Sequence, residues 1–128
     1  MEYAISKIVK FSYDEAIEKV TAALKEEGFG ILTTIDVKET LKKKIDVDRK
    51  PYVILGACNP PFANQSLQAE PMIGLFLPCN VVVYVDDNEQ TVVAAFNPEI
   101  MGEISPNPEI HKIGASVKER LERVIQGL

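Results

Sequence analysis

The feature that most constrains the fold is a long amphipathic segment near the end of the chain. Beyond Asn107-Pro108, apolar residues recur at helical spacing along one stripe, and charged residues occupy the remaining faces. An asparagine cap followed by proline at the first helical position is a typical helix start. Because a helix with one apolar stripe must bury it, we expect this helix to lie on a sheet. The predicted stripe consists of Ile110, Ile113, Val117, Leu121, Val124 and Ile125.

A second long helix is predicted over residues 13–27. Ser12 followed by Glu15 forms a capping-box signature, and apolar residues then recur at steps of three and four until Gly28 offers a left-handed stop. Before this helix, residues 3–11 alternate with a period of two that only Lys7 breaks. We therefore expect a first strand with one face toward a core.

The middle of the chain predicts a sheet with shorter helices between its strands. Helical turns are expected over residues 38–45 and 61–70, and a brief turn follows Asn97-Pro98 and ends near Gly102. Enrichment in β-branched and apolar residues, bounded by turn signals, predicts the remaining strands. They cover residues 31–37, 52–55, 75–85 with a bend at Pro78, and 90–96.

These elements define a fold class. The last two strands form a hairpin across an acidic turn, and helices separate the others, so a doubly wound parallel sheet fits less well. The pattern predicts an α+β two-layer sandwich in which about five mainly antiparallel strands carry two long helices on one face. The 128 residues fit a single domain, residues 1–128.

Charge and hydropathy exclude two classes of partner. A formal net charge of −5 argues against nucleic acid, whose binding depends on lysine and arginine. The most apolar segment, residues 72–85, is interrupted by Gly74 and Pro78 and is shorter than the ~20 residues of a membrane-spanning helix. The first residues lack the basic lead and apolar run of a secretory signal, so we expect a cytoplasmic protein with no membrane contact.

The candidate site consists of two Cys-Asn pairs, Cys58-Asn59 and Cys79-Asn80. Cys58 lies in a predicted turn after residues 52–55 and just before a helix start, where unpaired amides would stabilise a thiolate or hold an anion. Cys79 follows a proline within a predicted strand, where a bend would re-aim its side chain. The simpler interpretation, which the residue types favour, is that each cysteine is a small buried hydrophobe and each asparagine a cap.

If the two thiols approach each other, three arrangements are open: a reversible disulfide, a two-thiolate metal site, or a packing contact. A metal would need further ligands, and we assign none because the single histidine, His111, is predicted to be exposed and unpaired with a cysteine. The acidic turn at residues 86–89 lacks calcium-loop spacing. No cofactor motif is present, so the sequence leaves the cofactor unknown.

Three segments carry a resemblance to a known family. Gly56-Ala57-Cys58-Asn59-Pro60, the run Ile73-Gly74-Leu75-Phe76-Leu77-Pro78-Cys79-Asn80-Val81, and Asn97-Pro98 through Met101 together resemble the prokaryotic domain-of-unknown-function family 302. The resemblance implies a fold similar to the TATA-binding-protein-like α+β class and a homodimer, with no established activity. The family often has aspartate at the position of Asn97, so no carboxylate role is expected there.

Three hypotheses for function follow. The first is a small-ligand-binding or sensing module whose ligand, a small anion or a thiol-reactive molecule, meets the paired Cys-Asn bends. The second is a cysteine-dependent enzyme in which Cys58 attacks an electrophile. The third is a structural association domain with packed thiols. The sequence alone leaves these three open, including whether the protein is an enzyme.

Overall fold

The computed structural model describes residues 2–128 as an α+β domain with one five-stranded sheet. The strand order is β1-β5-β4-β3-β2, and all neighbouring strands are antiparallel. The predicted fold class is therefore confirmed. The elements are β1 (Ala4–Val9), α1 (Tyr13–Glu26), β2 (Gly30–Asp36), α2 (Val37–Ile45), β3 (Tyr52–Cys58), α3 (Pro60–Ala69), a 3₁₀ helix (Pro71–Phe76), β4 (Cys79–Val85), β5 (Thr91–Phe96), α4 (Ile100–Ile104) and α5 (Pro108–Gln126).

The main core lies between one face of the sheet and the two long helices, α1 and α5. On the three central strands, Leu55 pairs with Val81 and Val81 pairs with Ala95, so their buried side chains form a row across the sheet. All six residues of the predicted α5 stripe are buried. The stripe prediction is confirmed, and the burial of these side chains is the main attraction holding helix to sheet.

Side-chain caps begin the helices as the sequence indicates. The Ser12 side chain accepts a hydrogen bond from the Glu15 amide at the start of α1, and Asn107 accepts one from the Glu109 amide at the start of α5. Just after α1, Gly28 has a φ of +88°, a left-handed conformation that favours glycine. The capping signals thus position both long helices.

The strand predicted over residues 75–85 is too long. Residues 71–76 instead form the 3₁₀ helix, the Leu77 amide bonds to the Gly74 carbonyl, and the Leu77–Pro78 peptide bond is cis. Pro78 has no amide hydrogen for a sheet ladder, so pairing begins only after it. The prediction was misled by apolar residues that lie on the surface, since Leu75 is 80% exposed.

Strand β3 is longer than the predicted 52–55, and Gly56-Ala57-Cys58 is strand rather than turn. A side chain at Gly56 would collide with Thr33 Oγ1 and lie 2.9 Å from Pro78 Cγ. Glycine here marks a close approach between neighbouring strands rather than a chain reversal. The longer β3 carries Cys58 to the edge of a cavity at this end of the sheet.

Candidate functional site

Both cysteines line one cavity of about 300 Å³ at the end of the sheet where β3 finishes and β4 begins. Helices α3 and α5 also contribute to its wall. Most of the wall is hydrocarbon, from side chains of strands, helices and loops that lie far apart in the chain. The main apolar contributors are Phe29, Phe62, Leu77, Met101, Ile113 and Val117.

The pairing of β3 with β4 brings the two cysteines together. Ala57 and Cys79 are directly opposite each other, so Cys58 lies one residue beyond the partner of Cys79. Cys79 is buried with the core face of β4, whereas Cys58 is half-buried. Both are free thiols. Two residues 21 positions apart in the chain therefore share one cavity.

The surroundings of Cys79 favour its neutral form. Burial raises the pKa of the Cys79 thiol to about 11, and the nearby Cys58 adds a smaller electrostatic contribution in the same direction. A thiol of this kind is protonated at neutral pH and is a poor nucleophile. Of the two cysteines, Cys58 is the more exposed residue.

Asn59 is the N-cap of α3, as predicted. Its Oδ1 accepts from the Phe62 amide at 3.4 Å, and its Nδ2 donates to the Glu27 carbonyl at 3.5 Å. The side chain is 8% exposed and lines the cavity beside Cys58. Asn59 therefore holds the start of α3 against the end of α1.

Asn80 does not join the other three predicted residues. It is exposed, it follows Cys79 within β4, and strand alternation turns it toward the opposite face of the sheet. It pairs with Gly56 and does not line the cavity that contains Cys58. The structure thus brings together Cys58, Asn59 and Cys79.

The start of α3 differs from the predicted anion site. Pro60 and Pro61 have no amide hydrogen, the Phe62 amide bonds to the Asn59 side chain, and the Ala63 amide bonds to the Asn59 carbonyl. Every backbone group of this first turn that could donate is already used. The expectation of unpaired amides beside Cys58 is therefore wrong.

Arg120 on α5 lies at the Phe62 side of the cavity. Its guanidinium carbon is 5.2 Å from the centre of the Phe62 ring, and its Nη1 donates to the Glu27 carbonyl at 2.9 Å. Glu27 also pairs through its carboxylate with Arg123, whose hydrogen bond lowers the pKa of that carboxyl group. This cluster ties the end of α1 to α5, next to the Asn59 cap.

His111 lies in a separate network at the junction of α4 and α5. Its Nε2 is 2.8 Å from the Ser105 carbonyl oxygen, and its ring packs over Gly102. The side chain is exposed, as the sequence predicts. In residues 2–128, no group of three or more histidine, cysteine, aspartate or glutamate side chains is arranged to hold a metal ion.

Sequence reasoning missed most of the cavity wall. Phe62 has a local signal, since it follows the Asn-Pro-Pro start of α3. Phe29 and Met101 have none, because each reaches the cavity only through packing of segments far apart in the chain.

Across residues 2–128, the helices include none that is both long and apolar enough to cross a membrane.

The comparisons with known proteins agree with this architecture. The model of the family described as "Domain of unknown function DUF302" matches residues 5–128. The crystal structure of an uncharacterized conserved DUF302 protein from Bacillus stearothermophilus is similar, with a TM-score of 0.91, 31% sequence identity and coverage of 98% of each chain. No curated protein matches significantly. The chain therefore belongs to the DUF302 family.

Proposed function

We propose that this protein is a small-ligand-binding or sensing module whose ligand occupies the cavity at Cys58 and Cys79. One observation carries the proposal: cysteines from two neighbouring strands line the same cavity of about 300 Å³. For comparison, an engineered apolar cavity of about 150 Å³ binds benzene. Ligand sites are typically concave, mostly apolar and furnished with a few polar groups, and this cavity matches that description.

Access to the cavity favours Cys58 as the residue that a ligand meets first. Its side chain is half-buried, whereas Cys79 lies deeper among core residues. A thiol-reactive ligand remains part of the proposal. An anionic ligand receives no support from the first turn of α3, whose amides are occupied.

Native-state thiol labelling tests the proposal. We expect a neutral maleimide to modify Cys58 at least about 100-fold faster than Cys79, because the reaction needs an accessible thiolate. Mass spectrometry of peptides after quenching gives each rate. If both cysteines stay inert until the protein is unfolded, the cavity admits no ligand and the proposal fails.

A cysteine-dependent enzyme is the second candidate, favoured by the half-buried Cys58 thiol at the wall of a cavity. Such an enzyme needs Cys58 as a thiolate near neutral pH. The pH profile of Cys58 alkylation separates the two functions, because reactivity that rises only above pH 8 contradicts the enzyme. If Cys58→Ala changes the stability of the protein but affects neither ligand binding nor turnover, the third hypothesis, a structural association domain with packed thiols, is correct.

We further propose a homodimer that forms through the sheet face opposite α1 and α5. That face carries the stacked rings of Tyr52 and Tyr84, 5.1 Å apart, with Ile54 and Val82 beside them. Ile8, on the same face at the β1 edge, is 57% exposed. A sheet face with several half-buried apolar side chains and an exposed Ile8 suits an association surface.

Sedimentation velocity tests the dimer. We expect Val82→Lys to shift the protein toward monomer, because a charge would then be buried at the interface. Ser116→Lys, an exposed position on α5, is the matched control. A wild-type protein that is monomeric at high micromolar concentration contradicts the proposal.

The two free thiols are consistent with the cytoplasmic location proposed for this module.

A further inference from the structure

We infer that the ligand of the Cys58 and Cys79 cavity is a neutral, apolar molecule about the size of two fused rings. The inference rests on the proposed function and adds the chemical class of the ligand. It depends on three properties of the site: the hydrogen bonds its polar groups already make, the charge around it, and its volume.

The polar side chains in the wall already make hydrogen bonds within the protein. Ser66 Oγ donates to the Phe62 carbonyl at 2.8 Å, within α3. Asn59 is used at both ends of its side chain, by the Phe62 amide and the Glu27 carbonyl. Within residues 2–128, every buried side-chain nitrogen or oxygen has a hydrogen-bond partner. Because the wall is mostly apolar and its few polar side chains are already bonded, a polar ligand would replace only part of the hydrogen bonds to water that it loses.

The charge around the cavity does not favour an anion. Cys79 is a neutral thiol at physiological pH, since burial raises its pKa to about 11. Arg120 stacks on the Phe62 ring and bonds to the Glu27 carbonyl, but it does not line the cavity itself. The net charge of −5 adds repulsion at long range. A neutral ligand avoids both the desolvation cost and the repulsion.

The volume of the cavity indicates the size of the ligand. A cavity of about 300 Å³ is roughly twice the one of about 150 Å³ that holds benzene, so a single ring would leave much of it empty. Two fused rings, or a branched hydrocarbon of similar volume, would contact Phe29, Phe62 and Val117 together. The thiol of Cys58 is then the polarizable group at the accessible end.

Size-matched probes test the ligand class. Naphthalene and 2-naphthoate share a ring system and differ in charge, while benzene has the same chemistry in a single ring. Binding is followed by the loss of maleimide labelling at Cys58 and by nuclear magnetic resonance shifts. We expect naphthalene to protect Cys58, benzene to bind about tenfold more weakly, and 2-naphthoate to bind at least about 100-fold more weakly.

Filling the cavity provides the matched variants. Ala63 lines it from α3, so Ala63→Phe should abolish naphthalene binding, whereas Ala22→Phe on the exposed side of α1 should not. Leu67→Trp is a milder second variant, since Leu67 lines the cavity but is partly exposed, and Leu75→Trp is its control. Circular dichroism confirms that each variant is folded.

The outcomes separate the ligand class from the proposed function. If 2-naphthoate protects Cys58 as well as naphthalene does, the neutral class is wrong and the binding function stands. If naphthalene binding survives both Ala63→Phe and Leu67→Trp in folded protein, the ligand lies elsewhere and the inference fails. If Cys58 is inert to maleimide in the native protein, both proposals are overturned.

Discussion

The two Cys-Asn pairs are identical in sequence and differ in structure. Asn59 leaves the end of β3, caps α3 and is 8% exposed, whereas Asn80 continues along β4 and lies exposed. Cys58 is half-buried at the cavity, and Cys79 is buried with the core. The same two residues thus have opposite environments at the two strand ends that form the site.

The difference arises from the position of each pair relative to its strand. Cys58 is the last residue of β3, so the next residue is free to begin a helix. Cys79 is the first residue of β4, so strand alternation buries it and turns Asn80 outward. The dipeptide itself carries little information about its role, and the phase of the adjoining strand decides it.

The largest expected contrast comes from placing a charge at each cysteine. Cys79→Asp should lower the free energy of unfolding by about 3 to 5 kcal/mol, because its carboxylate would be buried without a partner. Cys58→Asp should cost about 1 kcal/mol, because the half-buried side chain retains some contact with water. Urea denaturation at neutral pH measures both. Equal losses would remove the distinction between the two thiols.

The next expected effect is a loss of stability at alkaline pH that depends on Cys79. The pKa of Cys79 is about 11 in the folded protein against an ordinary 9.0, so between these values the folded state holds the proton more tightly than the unfolded state. Stability from this group is complete below pH 9 and is lost as the pH rises to 11. The free energy of unfolding lost between pH 9 and pH 11 is about 2 to 3 kcal/mol, because each unit of pKa difference is worth about 1.4 kcal/mol.

The difference between wild type and Cys79→Ala isolates this contribution from other groups. Burial also raises the pKa of Tyr13, so the wild-type curve alone would mix two titrations. The penalty of Cys79→Ala should shrink by about 2 to 3 kcal/mol between pH 8 and pH 11. Parallel curves for wild type and Cys79→Ala would contradict the raised pKa.

Local signals were enough to predict much of the architecture. The α5 stripe and the caps at Ser12, Asn59 and Asn107 depend only on residues within a few positions of one another. The sequence also proposed Cys58, Asn59 and Cys79 as site residues. The structure brings these three to one cavity, and their role in binding stays a prediction. For these features, helical periodicity and capping chemistry coincide with the tertiary structure.

The remaining features depend on contacts between distant segments. Glycine is needed at position 56 because Thr33 and Pro78 pack closely around it, and nothing near Gly56 in the sequence indicates that. The 3₁₀ helix at residues 71–76 exposes Leu75, which the apolar pattern had placed in a strand. The cavity wall is assembled in the same way, by packing rather than by local sequence.

The smallest contrast concerns the two asparagines. Asn59→Ala removes the α3 cap and the bond to Glu27, so we expect it to lower the free energy of unfolding by about 1 to 2 kcal/mol. Asn80→Ala should change it by no more than about 0.5 kcal/mol, because the side chain is exposed. Thermal unfolding at pH 7 measures both, with Asn59→Asp as a variant that retains a capping oxygen. The two Asn59 hydrogen bonds are long, at 3.4 and 3.5 Å. If Asn59→Ala lowers the free energy of unfolding as little as Asn80→Ala does, these bonds contribute little to stability. Burial near Cys58, rather than capping, would then explain why asparagine occupies position 59.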